Sequence, residues 1–300
     1  MAVYKRSYRP YAGPLTSERW RFLVVARYAL QELVESRVLM AFVVMCLFPF
    51  LAEAAAIYVA NSEAARALLQ VSGNPVPMRT EFFVVTLTWQ GTLAFILTAW
   101  VAPVLVSPDL VNGALPLYLS RPFSRAEYLL GKALALLALL SLVTWVPGLA
   151  LFALQAGLGE SGWLSANLRV AWATFLGAWI WISVLALLGL ALSAWIRWRL
   201  VASTALFGVF FMGSAFGEVW REVLRDPWGR LANLPYLIGV VWIDLFGIVP
   251  APEVAREVRA FGAHDTTSRA RRRLSSSHRQ SAHVASSPAQ AAHTGSSERA

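Results

Sequence analysis

Long apolar blocks with hardly a charge, at 38–60, 82–106, 128–156, 170–195 and 200–217, constrain this chain more than any other feature. At about 1.5 Å of helical rise per residue, the block at 38–60 reaches about 34 Å, enough to cross the roughly 30 Å hydrocarbon core of a bilayer. Hydrocarbon offers no partner to a backbone N–H or C=O, so a chain that lives there must be helical or a closed barrel. Blocks this long are too long for barrel strands. Composition agrees: 57% of the residues are hydrophobic and 14% charged, against about 25% charged in an average soluble domain. The expected fold is an all-α, polytopic transmembrane bundle of five to six spans.

The flanks of the blocks give the organisation. Residues 1–16 are basic and Tyr-rich and read as a cytoplasmic arm. From Ser17 to Arg37, Phe22, Leu23, Ala26, Ala29, Leu30, Leu33 and Val34 share one helical face, with Arg21, Arg27, Gln31, Glu32 and Glu35 opposite. That pattern predicts an amphipathic helix in the membrane interface. Ala52-Glu53-Ala54 imitates a signal-peptidase site, but the lead before it is too long for a cleaved signal peptide, so the first block reads as a retained anchor. The stretch 234–249 is short for a span and carries Asp244; it reads either as a short sixth crossing or as a helix lying on the membrane. Residues 251–300 turn to Ser, Ala, Arg, His and Gln, too polar to offset the entropy of ordering, and read as a disordered tail.

Topology follows from Lys and Arg. With the N-terminus inside, the inner segments carry Lys5, Arg6, Arg9, Arg19, Arg21, Arg27, Arg37, Arg121, Arg125, Lys132, Arg197 and Arg199, and the outer ones Arg66, Arg79, Arg169, Arg221, Arg225 and Arg230. Twelve against six places the N-terminus in the cytoplasm. A basic tail also prefers the cytoplasm, which favours six crossings. The net charge of +9 is read as loops that meet anionic lipid headgroups rather than as a nucleic-acid surface.

Several chemistries are excluded. Cys46 is the single cysteine and all four histidines lie after residue 260, so no His or Cys cluster for a metal or a nucleophilic triad sits in the apolar region. No G-x-x-x-x-G-K-[ST] run occurs, so this chain builds no P-loop and binds no nucleotide by that route. Within the spans, Glu53 and Gln90 both lie roughly 10 to 12 Å from the outer ends, within reach of a mutual hydrogen bond that would hold the first two spans together; a substrate contact on a pathway is the alternative. Pro49, Pro103 and Pro147 are kink candidates, and Gly189 and Ser193 have the small-xxx-small spacing of a close helix contact.

The inner loop from Ser107 to Lys132 carries the most specific pattern. Ser107 followed by Pro108 and Asp109 has the order of a helix start, and Pro116 would limit that helix to about two turns. Ser124 and Glu127 form a capping box ahead of the next apolar block. Together they predict a short, stiff helix between two spans, placed to pass a push from a soluble partner into the membrane.

The run Leu115-Pro116-Leu117-Tyr118-Leu119-Ser120-Arg121-Pro122, with Ser124-Arg125 and Gly131-Lys132 after it, resembles the signature loop of ABC-2 type permeases, the membrane subunits of bacterial ATP-binding cassette exporters. The resemblance extends over roughly residues 15 to 250. It implies that the loop helix is a coupling helix docked on a separate ATPase subunit, which binds the ATP and Mg while this chain holds no cofactor. Asp109, Leu110, Leu115, Tyr118 and Leu119 would touch that ATPase, and Ser120, Arg121, Pro122, Ser124, Arg125 and Glu127 would set the geometry of the lever. It further implies a connecting helix at Ser17 to Arg37, a second permease subunit facing this one and an inner-membrane location. The family's clear sixth span has no counterpart after Pro250. A non-transporting scaffold that anchors a cytoplasmic complex through the same loop is the alternative; an enzyme is not expected.

Overall fold

The computed structural model of the chain describes residues 20–70, 79–113, 124–224 and 227–249. Every secondary-structure element among them is helical: α1 Arg21–Glu35, α2 Arg37–Cys46, α3 Phe48–Asn61, α4 Glu63–Leu68, α5 Thr80–Val111, α6 Arg125–Val143, α7 Trp145–Leu158, α8 Trp163–Ala166, α9 Leu168–Trp195, α10 Arg199–Leu224, a 3-10 turn Pro227–Ala232 and α11 Leu234–Phe246. Five helical stretches are long and apolar enough to cross a membrane: α2 with α3, α5, α6 with α7, α9 and α10. They coincide with the five apolar blocks, extended by a few residues at most ends. The arm at 1–16 and the tail at 251–300 lie outside the described residues.

The chain forms two compact units, one of residues 1–212 with 241–248 and one of 213–240 with 249–300. In the first, α5 is the central pillar. It packs most extensively on α9 and also touches α2, α3, α6 and α7. Lipid tails are as apolar as leucine, so helices in a membrane are held by close packing rather than by a hydrophobic drive, and small residues permit the approach. A Cβ on Gly189 of α9 would lie 2.9 Å from both Ala102 Cβ and Thr98 Cγ2 of α5, and Ser193 is buried one turn further on. Two tryptophans use other bared stretches of backbone. Trp181 donates its Nε1–H to the Gly91 carbonyl at 2.9 Å, and Trp242 donates to the Gly177 carbonyl at 3.0 Å, with the two rings edge to face. A side chain at Gly91 or Gly177 would collide with these rings.

Proline acts differently at each site. Two spans are broken just before a proline: the first at Leu47, ahead of Pro49, and the third at Thr144, ahead of Pro147. Proline at the start of a new helix loses no hydrogen bond it could have made there. Pro103 and Pro108, by contrast, sit inside the unbroken 32-residue α5.

Contacts fix the direction of the last helices. Ser203 Oγ–H donates to the Ala99 carbonyl at 2.7 Å, and Phe207 packs on Phe95 further along, so α10 starts at the Val111 end of α5 and runs antiparallel to it. The end of α11 runs antiparallel to α9: Trp242 sits at Gly177, and Arg169, in the first turn of α9, donates to the carbonyls of Leu245 and Asp244 at 2.9 Å each. Gly247, at φ +70, closes α11 under that guanidinium. Residues 244–247 therefore lie at the end of the bundle where α3 finishes and α5 and α9 begin. Five helical stretches long and apolar enough to cross a membrane precede that point, and Asp244 sits exposed in the last turn of α11.

The second unit is a hairpin. The Ala232 carbonyl comes against Gly213, and Asn233 Oδ1 accepts from Ser214 Oγ and from the Tyr236 N–H at 3.1 Å, capping α11. Glu218 pairs with Arg221 at 2.9 Å and Arg230 at 3.5 Å, and the Arg230 guanidinium lies 4.7 Å from the Tyr236 ring centroid. Arg221 also lies 3.5 Å from Glu222, so these four charges are paired locally.

In a Cys46→Ala background, Asp244→Cys and Glu160→Cys should react with a membrane-impermeant maleimide from one side of sealed vesicles, and Ala126→Cys from the other. Labelling of Asp244→Cys together with Ala126→Cys would refute this topology.

Candidate functional site: the clamp at the ends of the α5–α6 loop

Only one of the two expected helix starts is present. Ser107 does not cap a new helix: it is buried inside α5, its Oγ 3.5 Å from the Ile196 carbonyl beyond the end of α9. The residue before a proline prefers extended backbone, which is why the sequence suggests a break here. Packing overrides that preference, because Leu105, Val106 and Ser107 are all buried within the bundle. In a bundle, the carbonyl freed by Pro108 costs less than exposing that packed surface. At about 1.5 Å per residue α5 is about 48 Å long, well over the hydrocarbon thickness.

The helix stops instead at Asn112, whose N–H donates to the Pro108 carbonyl at 2.9 Å, with Gly113 at φ +63 behind it. This is the left-handed C-terminal stop that Asn-Gly favours. The signal was in the sequence as Asn112-Gly113.

The other end of the loop is as expected. Ser124 N–H donates to Glu127 Oε2 at 2.7 Å, Ser124 Oγ–H to the same oxygen at 2.8 Å, and the Glu127 N–H to Ser124 Oγ at 3.2 Å. Both halves of the capping box are made, and α6 begins at Arg125.

The two loop ends are joined by a group of three side chains. Asp109 Oδ2, on the last turn of α5, accepts from Tyr128 Oη at 2.6 Å and lies 3.1 Å from Lys132 Nζ. Tyr128 and Lys132 stand one turn apart on α6, both buried, and the ammonium is 5.8 Å from the centre of the tyrosine ring. A buried lysine is tolerated where its charge is paired, and Asp109 supplies the pair. Between these residues, Gly131 is the floor on which α1 rests: a Cβ there would lie 2.7 Å from Val25 Cβ and 2.8 Å from the Phe22 carbonyl. Ala26, Ala29 and Leu33 are the buried face of α1, which packs mainly on α6. The helix ends at Glu35, and Ser36 caps α2 by accepting from the Leu39 N–H at 3.4 Å.

The expected site residues therefore separate. Asp109 is bonded within the chain, Leu110 is half-buried beside it, Ser124 and Arg125 are exposed at the start of α6, and Glu127 is half-buried there. Leu115, Tyr118, Leu119, Ser120, Arg121 and Pro122 lie outside the described residues. Tyr128, Gly131 and Lys132 emerge as the fixed part of the site. A lysine inside an apolar run was the available clue, since such a charge requires a partner.

Glu53 and Gln90 do not pair. Gln90 is buried against Gly148 of α7 with neither amide atom hydrogen-bonded, and Glu53 faces Thr86 instead, a turn away. Among the described residues, no group of three His, Cys, Asp or Glu side chains could hold a metal ion.

The double-mutant cycle of Asp109→Ala with Lys132→Met measures the clamp. Asp109→Ala strands a buried ammonium and should lower stability by about 3 kcal/mol, and the double variant should recover part of that loss. Strictly additive effects in thermal melts of the purified protein would show that the pair is not coupled. Gly131→Leu should displace α1 and destabilise by about 1–3 kcal/mol through overpacking. No protein-family model matches this chain, and no curated protein matches it.

Proposed function

We propose that the chain is the permease subunit of an ATP-driven exporter of the ABC-2 type, with its N-terminus and the α5–α6 loop on the cytoplasmic side of a bacterial inner membrane. The observation that carries this reading is the construction of the loop's two ends. A stopped helix on one side and a capped helix on the other are locked together by Asp109, Tyr128 and Lys132, with α1 seated on Gly131 beside them. A force applied to such a loop is not absorbed by fraying helix ends; it is passed to α5, the pillar on which α2, α3, α6, α7 and α9 pack. The resemblance of residues 115–122 to the signature loop supports the same reading.

On this proposal a separate ATPase subunit binds ATP and Mg and presses on residues 115–122, and a second permease subunit completes the pathway. The exposed side of α1, with Trp20, Leu23, Tyr28 and Val34, lies in the membrane interface while its buried side rests on α6. Asp109 acts as a positioning residue of the lever rather than as an ATPase contact. The chain itself performs no catalysis.

Leu115→Asp should abolish co-purification of an ATPase subunit encoded alongside this chain, with membrane insertion unchanged. Recovery of that subunit in wild-type amounts would overturn the assignment. ATP-dependent movement of substrate in vesicles distinguishes a transporter from a scaffold that uses the same loop only as an anchor.

A further inference from the structure

A second polar contact lies near the opposite end of the first unit, between α3 and α5. Glu53 stands eight residues before the end of α3 and Thr86 six residues after the start of α5, about 12 and 9 Å along their helices. The Thr86 hydroxyl is within reach of the Glu53 carboxyl, yet neither Thr86 Oγ1 nor Glu53 Oε2 completes a hydrogen bond, and both atoms are buried. A threonine in a helix can give its proton to the carbonyl one turn back, and Thr88, Thr92, Thr98, Thr174 and Thr204 all do so at 2.7–2.9 Å. Thr86 does not; it faces Glu53 instead.

Among the described residues nothing balances a charge on Glu53. The helices packed against α3 are α2, α4, α5 and α7. α7 has no titratable side chain. On the others, Glu63, Arg66 and Glu81 stand at the end where α3 finishes and α5 begins, Arg37 and Asp109 at the opposite end, and Cys46 just before the break at Leu47. Tyr58, on α3 itself, is exposed. None of these groups forms an ion pair with Glu53, and a lone carboxylate at this depth in hydrocarbon is costly. A carboxylate only accepts hydrogen bonds, whereas a carboxylic acid also donates one. One added proton therefore removes the charge and lets Glu53 donate to Thr86 Oγ1.

We propose that Glu53 is a proton-binding site, occupied while α3 rests on α5, with Thr86 as the acceptor of its O–H. α3 is free to respond, because the break at Leu47 separates it from α2 and its buried residues are only Ile57 and Ala60. Loss of the proton leaves a bare carboxylate against apolar neighbours, and α3 turns about Leu47 to carry Glu53 towards its open side. The packing of the first span thus loosens as protons become scarce. Glu53 is half-exposed, so the proton reaches it past α3 without crossing the bundle. This site is independent of the loop clamp and of the exporter reading.

The test is infrared spectroscopy of the full chain in nanodiscs over a pH series. At neutral pH the wild type should show the C=O stretch of a protonated carboxyl that Glu53→Gln lacks, and this band should give way to carboxylate bands as pH rises. Thr86→Val removes the acceptor and should move the band to higher frequency, and Glu160→Gln, at an exposed turn, should change nothing. Stability should follow the same titration, because the proton is held by the packed form and not by the unfolded chain. Wild-type Tm should fall by about 3–5 °C per pH unit from the ordinary carboxylate range up to the pH at which the acid band disappears, then level off, and Glu53→Gln should lack that slope. Should Glu53→Gln fail to fold, wild-type protein with isotope-labelled glutamate carboxyls carries the test, since a shifted acid band identifies a protonated glutamate directly. Only carboxylate bands from glutamate at neutral pH, a band unmoved in Thr86→Val, or the same slope of Tm in Glu53→Gln would each overturn the site.

Discussion

The contact between α5 and α9 is what the rest of the bundle leans on, because in hydrocarbon a helix pair gains almost nothing from burying apolar surface and must gain from closeness instead. Gly189 lets the two backbones approach, and the edge-to-face tryptophans seated on the Gly91 and Gly177 carbonyls fill the space beside the same pair. α5 is thereby buried over much of its length, and every other long helix of the first unit is arranged against one of these two. The outer helices, α2 with α3 and α10, are far less covered and present most of their surface outward.

α5 is longer than the hydrocarbon core of a bilayer is thick, and its C-terminal turns are held by neighbouring side chains. The neighbours are side chains of α6. Tyr128 and Lys132 converge on one carboxylate oxygen of Asp109, so a hydroxyl and two opposite charges are satisfied at a single point. Charge-assisted bonds of this kind are short and directional, which fixes an angle between two helices better than apolar packing does. The seat for α1 at Gly131 lies on the same turn of α6, so anything that moves the loop moves α1 and α5 with it.

Proline shows how far local rules reach. Pro49 and Pro147 each follow a break and start a new helix, as their missing N–H favours, whereas Pro103 and Pro108 are carried through α5 unbroken. The residue type is the same in all four. What differs is whether the segment before it is packed tightly enough that breaking would uncover buried surface, and that property belongs to the neighbours.

The five crossings, their approximate ends and the capping box at Ser124 and Glu127 were legible in the sequence, since each depends on residues within one or two turns of each other and on the length of an apolar run. The stop at Asn112-Gly113 had a local signal as well, but the reading from Ser107 to Pro116 passes over it. The pairing of Asp109 with Lys132, the separation of Glu53 from Gln90 and the attachment of α11 to Arg169 were not legible. They depend on the rotation of each helix about its own axis and on the direction in which a short helix returns. A run of apolar residues is nearly the same on every side, so hydropathy fixes how many helices there are and how long they are, and only the packing of one helix against another decides which faces meet.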